Sequence, residues 1–246
     1  DLRLAGRVLG GKGVMLFAGG PDSGGVQVER RTGRARGLAQ VLGDIFSPRP
    51  GRGARYRKTT LPASGPASRD GVMASLQGAL LKGESALFFF AAAHGDIGEN
   101  PADNYLALWG NELLSARDLA LVLDEAPSER TVRAVISACF SGGFAEIVFP
   151  GAEPGLGIGR DNRCGLFAAP WNQVSSGCDP DPIRQHHEGY GIHFLNALVG
   201  KDRYGKPLRA QDVEMDGEAG VSLMEAHSYV RIVSNAVDIP TTTSER

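Results

Sequence analysis

Hydrophobic and polar positions follow two periods along this chain, and they alternate. Val14-Met15-Leu16-Phe17-Ala18 is a short apolar run ending in Gly19-Gly20-Pro21-Asp22, which predicts a strand entering a turn. Across 37–46, Leu38, Val41, Leu42 and Ile45 recur at helical spacing. Residues 47–67 are rich in Pro, Gly, Arg and Ser and read as a long loop. Ser68 is positioned to cap a helix whose Val72, Leu76, Ala79 and Leu80 share one face. Ala86-Leu87-Phe88-Phe89-Phe90-Ala91-Ala92 is continuously apolar, as in a strand buried on both faces of a parallel sheet. Val132 to Ile136 is similar, with Arg133 the exception. Between these runs, Ser115-Ala116-Arg117-Asp118 has the form of a capping box opening a helix over Leu119–Leu123. A further strand is predicted at 165–169, a helix at 188–199, and a last helix from Ser222 to about Val233 with Glu225 three residues after its start. Strands alternating with helices predict an α/β layered sheet. With no internal repeat and no linker, 1–246 reads as one domain, either a whole protein or part of a longer one.

Composition narrows the class. Hydrophobic residues are 42% and charged residues 22% of 246, the balance of a chain that buries a core. Lys plus Arg is 26 against 28 Asp plus Glu, so the net charge of −2 carries no nucleic-acid signature. No apolar run approaches the roughly 20 residues of a membrane span. The opening Asp1-Leu2-Arg3-Leu4 has no secretory apolar region. Three cysteines (139, 164 and 178) leave at least one outside any internal disulfide, which favours a reducing compartment such as the cytoplasm, or a working thiol.

Each of the two most apolar strands ends in a reactive residue. The first runs into Ala93-His94-Gly95-Asp96, the second into Ser137-Ala138-Cys139-Phe140-Ser141-Gly142-Gly143. Ligands of open α/β sheets bind at the C-terminal ends of the strands. As neighbours, the two strands would bring His94 and Cys139 to one crevice. There an imidazole can take the thiol proton and the thiolate can attack a carbonyl. Gly95 lets its N–H approach the developing oxyanion, with the Cys139 N–H as second donor. Ser141 does not suggest a serine hydrolase, because Cys139-Phe140-Ser141-Gly142-Gly143 lacks the leading Gly of a nucleophile elbow.

A strand ending in His-Gly, followed by one ending in Ala-Cys-x-Ser-Gly, resembles the caspase–legumain clan of cysteine peptidases. That clan includes caspases, metacaspases, legumains, gingipains and separases. The resemblance spans about residues 14–233, of which the two blocks are its specific part. It implies a caspase-like three-layer α/β/α sandwich with a mainly parallel sheet of about six strands. It also implies a dyad with His94 as general acid/base, Cys139 as nucleophile and Gly95 as oxyanion donor. Two residues before the nucleophile the clan carries Gln, Glu or Asp at the border of the first specificity pocket. Here the residue is Ser137, so the charge at that position is lost and caspase-type aspartate specificity has no support.

The pocket's charge must then come from another segment. Trp171 offers an apolar wall, and Asp179 or Asp181 offers a carboxylate that would favour Arg; an exposed Asp-Pro turn is the alternative reading. The expected activity is a cysteine endopeptidase acting on peptide or protein substrates, Arg-preferring and able to cut within its own segment 30–58. The alternative is a catalytically silent caspase-fold module that binds a partner. Nine Lys or Arg occupy 30–58 against one acid, Asp44, but only Tyr56 accompanies them, so neither nucleic acid nor a membrane is expected as partner. Cys164, Cys178, His186 and His187 match no compact zinc spacing, and no metal is expected there. Asp212, Glu214 and Asp216, with Gly217, resemble the first half of a calcium loop, but Leu223 stands where the closing Glu belongs and Glu225 arrives two residues late. An acidic turn before the Ser222 cap is the plainer reading.

Overall fold

The computed structural model describes residues 1–21, 23–24, 27–30, 37–46, 54–82, 86–159, 162–177 and 188–246. Helix α1 (Leu2–Val8) is followed by strands β1 (Gln27–Arg30) and β2 (Ala54–Arg57), which pair antiparallel on either side of helix α2 (Leu38–Phe46) in the chain. Helix α3 (Arg69–Lys82) leads to strand β3 (Leu87–Ala92). A small antiparallel sheet of β4 (Gly95–Asp96), β5 (Tyr105–Ala107) and β6 (Leu113–Ser115) precedes helix α4 (Ala116–Asp124). Strand β7 (Val132–Ser137), a 3-10 helix (Ser141–Val148) and strand β8 (Arg163–Phe167) follow. Helices α5 (Tyr190–Ala197), α6 (Ala210–Val213) and α7 (Leu223–Val233) and strand β9 (Thr241–Thr242) complete the order.

The main sheet runs β3-β7-β8-β9, with the first three strands parallel and β9 antiparallel at the edge. Side chains alternate across it. Ala134 and Ile136 of β7 face a core with α3, α4 and the 3-10 helix, whereas Val135 faces a second core with α1, α5 and α7. Helices on both faces of a mainly parallel sheet make the α/β sandwich expected. Leu123, Ile136 and Phe144 are each no more than 1% exposed, and each contributes on the order of 2 kcal/mol by leaving water. The α4 capping box forms as the sequence indicates: Ser115 Oγ accepts from the Asp118 N–H, and Asp118 Oδ2 accepts from the Ser115 N–H, both at 3.0 Å.

Several expectations are corrected. Among the described residues the main sheet has four strands rather than about six. The run Val14–Ala18 forms only an isolated parallel bridge, Leu16 to Gly65, because the chain turns at Ala18 (φ 46°). The loop predicted over 47–67 contains β2, paired with β1. Strand β3 is half-buried along its whole length instead of buried on both faces, since it lies at the sheet edge. No helix among the described residues is long and apolar enough to cross a membrane.

Candidate active site

Strands β3 and β7 are parallel neighbours with Ala92 opposite Ser137. Two residues further along each chain stand His94 and Cys139, so the register brings both motifs to the same end of the sheet. By Ala93 the ladder is loosening, its N–H reaching Ser137 O at 3.4 Å. The chain then turns into β4. His94 O accepts from the Ala107 N–H (2.9 Å), which makes His94 and Ala107 a hydrogen-bonded pair of the small antiparallel ladder. Gly95, opposite Leu106, falls at the alternate position, where the N–H points away from β5. Glycine is required here: a Cβ on Gly95 would lie 2.2 Å from the Cys139 carbonyl oxygen. His94 is exposed and Cys139 half-buried.

The turn after Cys139 is held from several sides. Phe140 adopts a left-handed conformation (φ 56°, ψ 16°), which costs a non-glycine residue about 1 kcal/mol or more. Its N–H donates to Gln173 O (2.8 Å), and its carbonyl accepts from Asn104 Nδ2 (2.9 Å). Ser141 Oγ, fully buried, accepts from the Ala169 N–H (3.2 Å), and the Gly142 N–H donates to Ala169 O (2.8 Å). A Cβ at Gly142 or Gly143 would clash with the backbone at Ala169–Trp171 or with Asn104. The Ser-Gly-Gly after the cysteine is thus explained by close packing of the turn. Ser175 attends the thiol itself: its N–H donates to Cys139 Sγ at 3.3 Å, and Sγ–H donates to Ser175 O at 3.5 Å. An N–H aimed at sulfur strengthens when the sulfur becomes anionic.

Of the other predicted residues, Ser137 is half-buried and its Oγ accepts from the Gly191 N–H (3.2 Å) at the start of α5. The Asp1 carboxylate lies beside the same glycine. Trp171 is 42% exposed, and its carbonyl accepts from Asn104 Nδ2 (2.6 Å). Asp179 and Asp181 lie outside the described residues, as do Cys178, His186 and His187 and stretches 31–36 and 47–53 of the basic segment 30–58. Asp238 is a carboxylate the sequence did not single out; it accepts from the Ser176 N–H, next to the residue that holds the thiol, and burial pushes its carboxyl up. Cys139 and Cys164 are both free thiols, and burial raises the Cys164 thiol.

The acidic residues of 212–216 fall into two settings. Asp212 is engaged by Arg209 in an exposed ion pair (2.7 Å). Glu214, Asp216 and Glu225 each place a carboxylate oxygen within 4.8 Å of the others. Both Glu225 oxygens already accept backbone N–H groups, from Met215 (2.7 Å) and Ser222 (2.8 Å), which hold its carboxyl below the usual range. Like Asp238, Asn104 and Ser175 were not singled out by the sequence reading. Neither belongs to a motif, and their roles arise only where separate loops meet.

No protein-family model matches the chain, and no curated protein matches it. Among solved structures it is similar to protein GSU0716 from Geobacter sulfurreducens, with 13% identity, 72% of this chain and 73% of that one covered, and a TM-score of 0.42. A likeness that faint bears on neither family nor activity.

Proposed function

We propose that the protein is a cysteine endopeptidase of the caspase–legumain type, with Cys139 as nucleophile and His94 as general acid/base. The observation that carries this reading is the register: neighbouring parallel strands end two residues before a histidine and a cysteine respectively. His94 takes the Cys139 proton, and Sγ attacks the scissile carbonyl carbon. The oxyanion is received by the Gly95 and Cys139 N–H groups. As the C–N bond breaks, His94 returns the proton to the leaving amine, which departs and leaves a thioester. Water, deprotonated by His94, then attacks the thioester, and the carboxylate product leaves as Sγ recovers its proton. While Sγ is a thiolate, the Ser175 N–H is its hydrogen-bond donor.

The substrate class we infer is peptides with Arg before the cut, the Arg stem lying along Trp171 and its charge met by a carboxylate, Asp179 in the first instance. The chain's own Arg-rich 30–58 is then a candidate substrate. Free thiols at Cys139 and Cys164 suit a reducing compartment such as the cytoplasm.

A peptide-library cleavage profile of wild type, Cys139→Ala and His94→Ala tests this, together with an active-site-directed thiol probe. Turnover is expected in wild type, dominated by Arg, and lost in Cys139→Ala, which also abolishes self-cleavage. His94→Ala loses most turnover with an unchanged melting curve, since an exposed side chain contributes within about 0.5 kcal/mol to stability. A Cys139 no more reactive than the other cysteines, with no library cleavage, returns the protein to the silent binding-module reading. A profile dominated by Asp, Asn or large apolar residues removes the Arg assignment and leaves the dyad standing.

A further inference from the structure

We propose that Asn104 is a positioning residue that sets the geometry of the two oxyanion donors; the inference rests on the peptidase reading above. Asn104 is completely buried, between a short 3-10 turn and β5. Its side chain joins three separate loops. Nδ2 donates to Phe140 O (2.9 Å), one residue past the nucleophile, and to Trp171 O (2.6 Å), past the end of β8. Oδ1 accepts from the Gly98 N–H (3.0 Å), three residues past Gly95. Two carbonyl oxygens on one side and an N–H on the other dictate which way the amide faces. A carboxamide on a short stem supplies both donors and the acceptor. Asp lacks the donors, and Leu lacks all three.

The position is packed as tightly as it is bonded. A Cβ on Gly143 would lie 2.6 Å from Asn104 Cβ and Nδ2, so the glycine after Ser141-Gly142 makes room for this side chain. Asn104 is also tied through its own backbone: its N–H donates to Pro101 O (3.2 Å) and its carbonyl accepts from the Ala116 N–H (2.9 Å). It is therefore a fixed point between the small sheet and α4. From that point it holds the left-handed Phe140 peptide, a conformation that persists only where its surroundings over-determine it. The Cys139 N–H direction follows from that turn, and the Gly95 N–H direction from the segment ending at Gly98. One side chain thus links the two segments whose N–H groups must converge on one oxygen. Donors of this kind act only on the charge that develops in the transition state.

The test uses the whole chain with Asn104→Asp, which keeps size and the acceptor but faces two carbonyls with a carboxylate. Asn104→Ser, with a single donor, is the milder second variant. The readouts are kcat and KM on a peptide that wild type cleaves, the rate of Cys139 alkylation by iodoacetamide, and the melting curve. Alkylation forms no oxyanion, so it reports the thiol without the donors. The expected result is a kcat lowered by about 10²-fold in Asn104→Asp and less in Asn104→Ser, with KM and alkylation rate each within about threefold of wild type. Wild-type kcat in a folded Asn104→Asp overturns the proposal, as does a loss confined to KM. So does a parallel collapse of alkylation and melting in both variants, which would make Asn104 structural only. A wild type that neither cleaves nor alkylates selectively at Cys139 overturns the peptidase reading itself, and this proposal with it.

Discussion

At the scale of single residues, the site is governed by how closely two backbones approach. Gly95 lies where any side chain would meet the Cys139 carbonyl, 2.2 Å from the position a Cβ would take. The obstructing atom belongs to backbone, so it cannot swing aside, and the ends of β3 and β7 would have to separate. Gly95→Ala is therefore expected to cost about 1–3 kcal/mol, as overpacking does, and to lower turnover by moving the two strand ends apart. A urea midpoint equal to wild type would show that the strand ends tolerate the methyl. Asn104 presents the converse case, a polar residue that is buried because every polar atom of its side chain is used.

At the scale of elements, helix starts follow local chemistry closely. The capping boxes at Ser115–Asp118 and Ser222–Glu225 are both formed, and both are readable from the four residues alone. Helix α4 packs its Leu119, Val122 and Leu123 under the main sheet, so fraying its first turn loosens the layer beneath the site. Ser115→Ala removes the acceptor for the Asp118 N–H and is expected to cost about 1 kcal/mol, read as a lower thermal midpoint with the helix content retained. Loss well beyond that would mean that Asp118, which also pairs with Arg69 at 2.6 Å, had been displaced along with the cap. The Glu225 box has a second consequence. Both oxygens of that carboxylate accept from backbone donors, Met215 N–H and Ser222 N–H, which ties the acidic run back to the start of the helix.

At the scale of the whole molecule, two hydrophobic cores lie back to back on one sheet, and a titratable ring is sealed in the second. His227 is 1% exposed, with Nδ1 on the Tyr190 hydroxyl at 2.9 Å. Burial, and then the charge of Arg231, lower it from 6.5 to about 4, with Glu245 opposing. Below pH 6.5 the unfolded chain takes up a proton that the native state refuses until about pH 4. Stability should therefore fall as pH drops through that window and level off beneath it, by about 3 kcal/mol in total. Urea midpoints at pH 7, 5.5 and 4 measure it. His227→Gln, uncharged and still able to meet the Tyr190 hydroxyl, should lose that part of the slope; an unchanged slope would assign the acid sensitivity to other groups.

What the sequence determined by itself was local or periodic. The helix of 69–82, both capping boxes, the parallel strands around 87–92 and 132–137, and the His94 and Cys139 that end those strands all follow from patterns within a few residues. Gly95 was singled out as an oxyanion donor, whereas its close approach to the Cys139 carbonyl came only with the fold. Tertiary structure decided the rest. The strand predicted at Val14–Ala18 shrank to a bridge between Leu16 and Gly65, 49 positions apart, because the chain turns at Ala18. The apolar β3 proved to be an edge strand, since periodicity reports what a side chain prefers and not how many neighbours the sheet supplies. Asn104, Ser175 and Asp238 are ordinary polar residues in ordinary loops, and no spacing marks them. They became part of the site because hydrogen bonds between distant segments, each needing a donor and an acceptor at about 3 Å, exist only after the fold has brought those segments together.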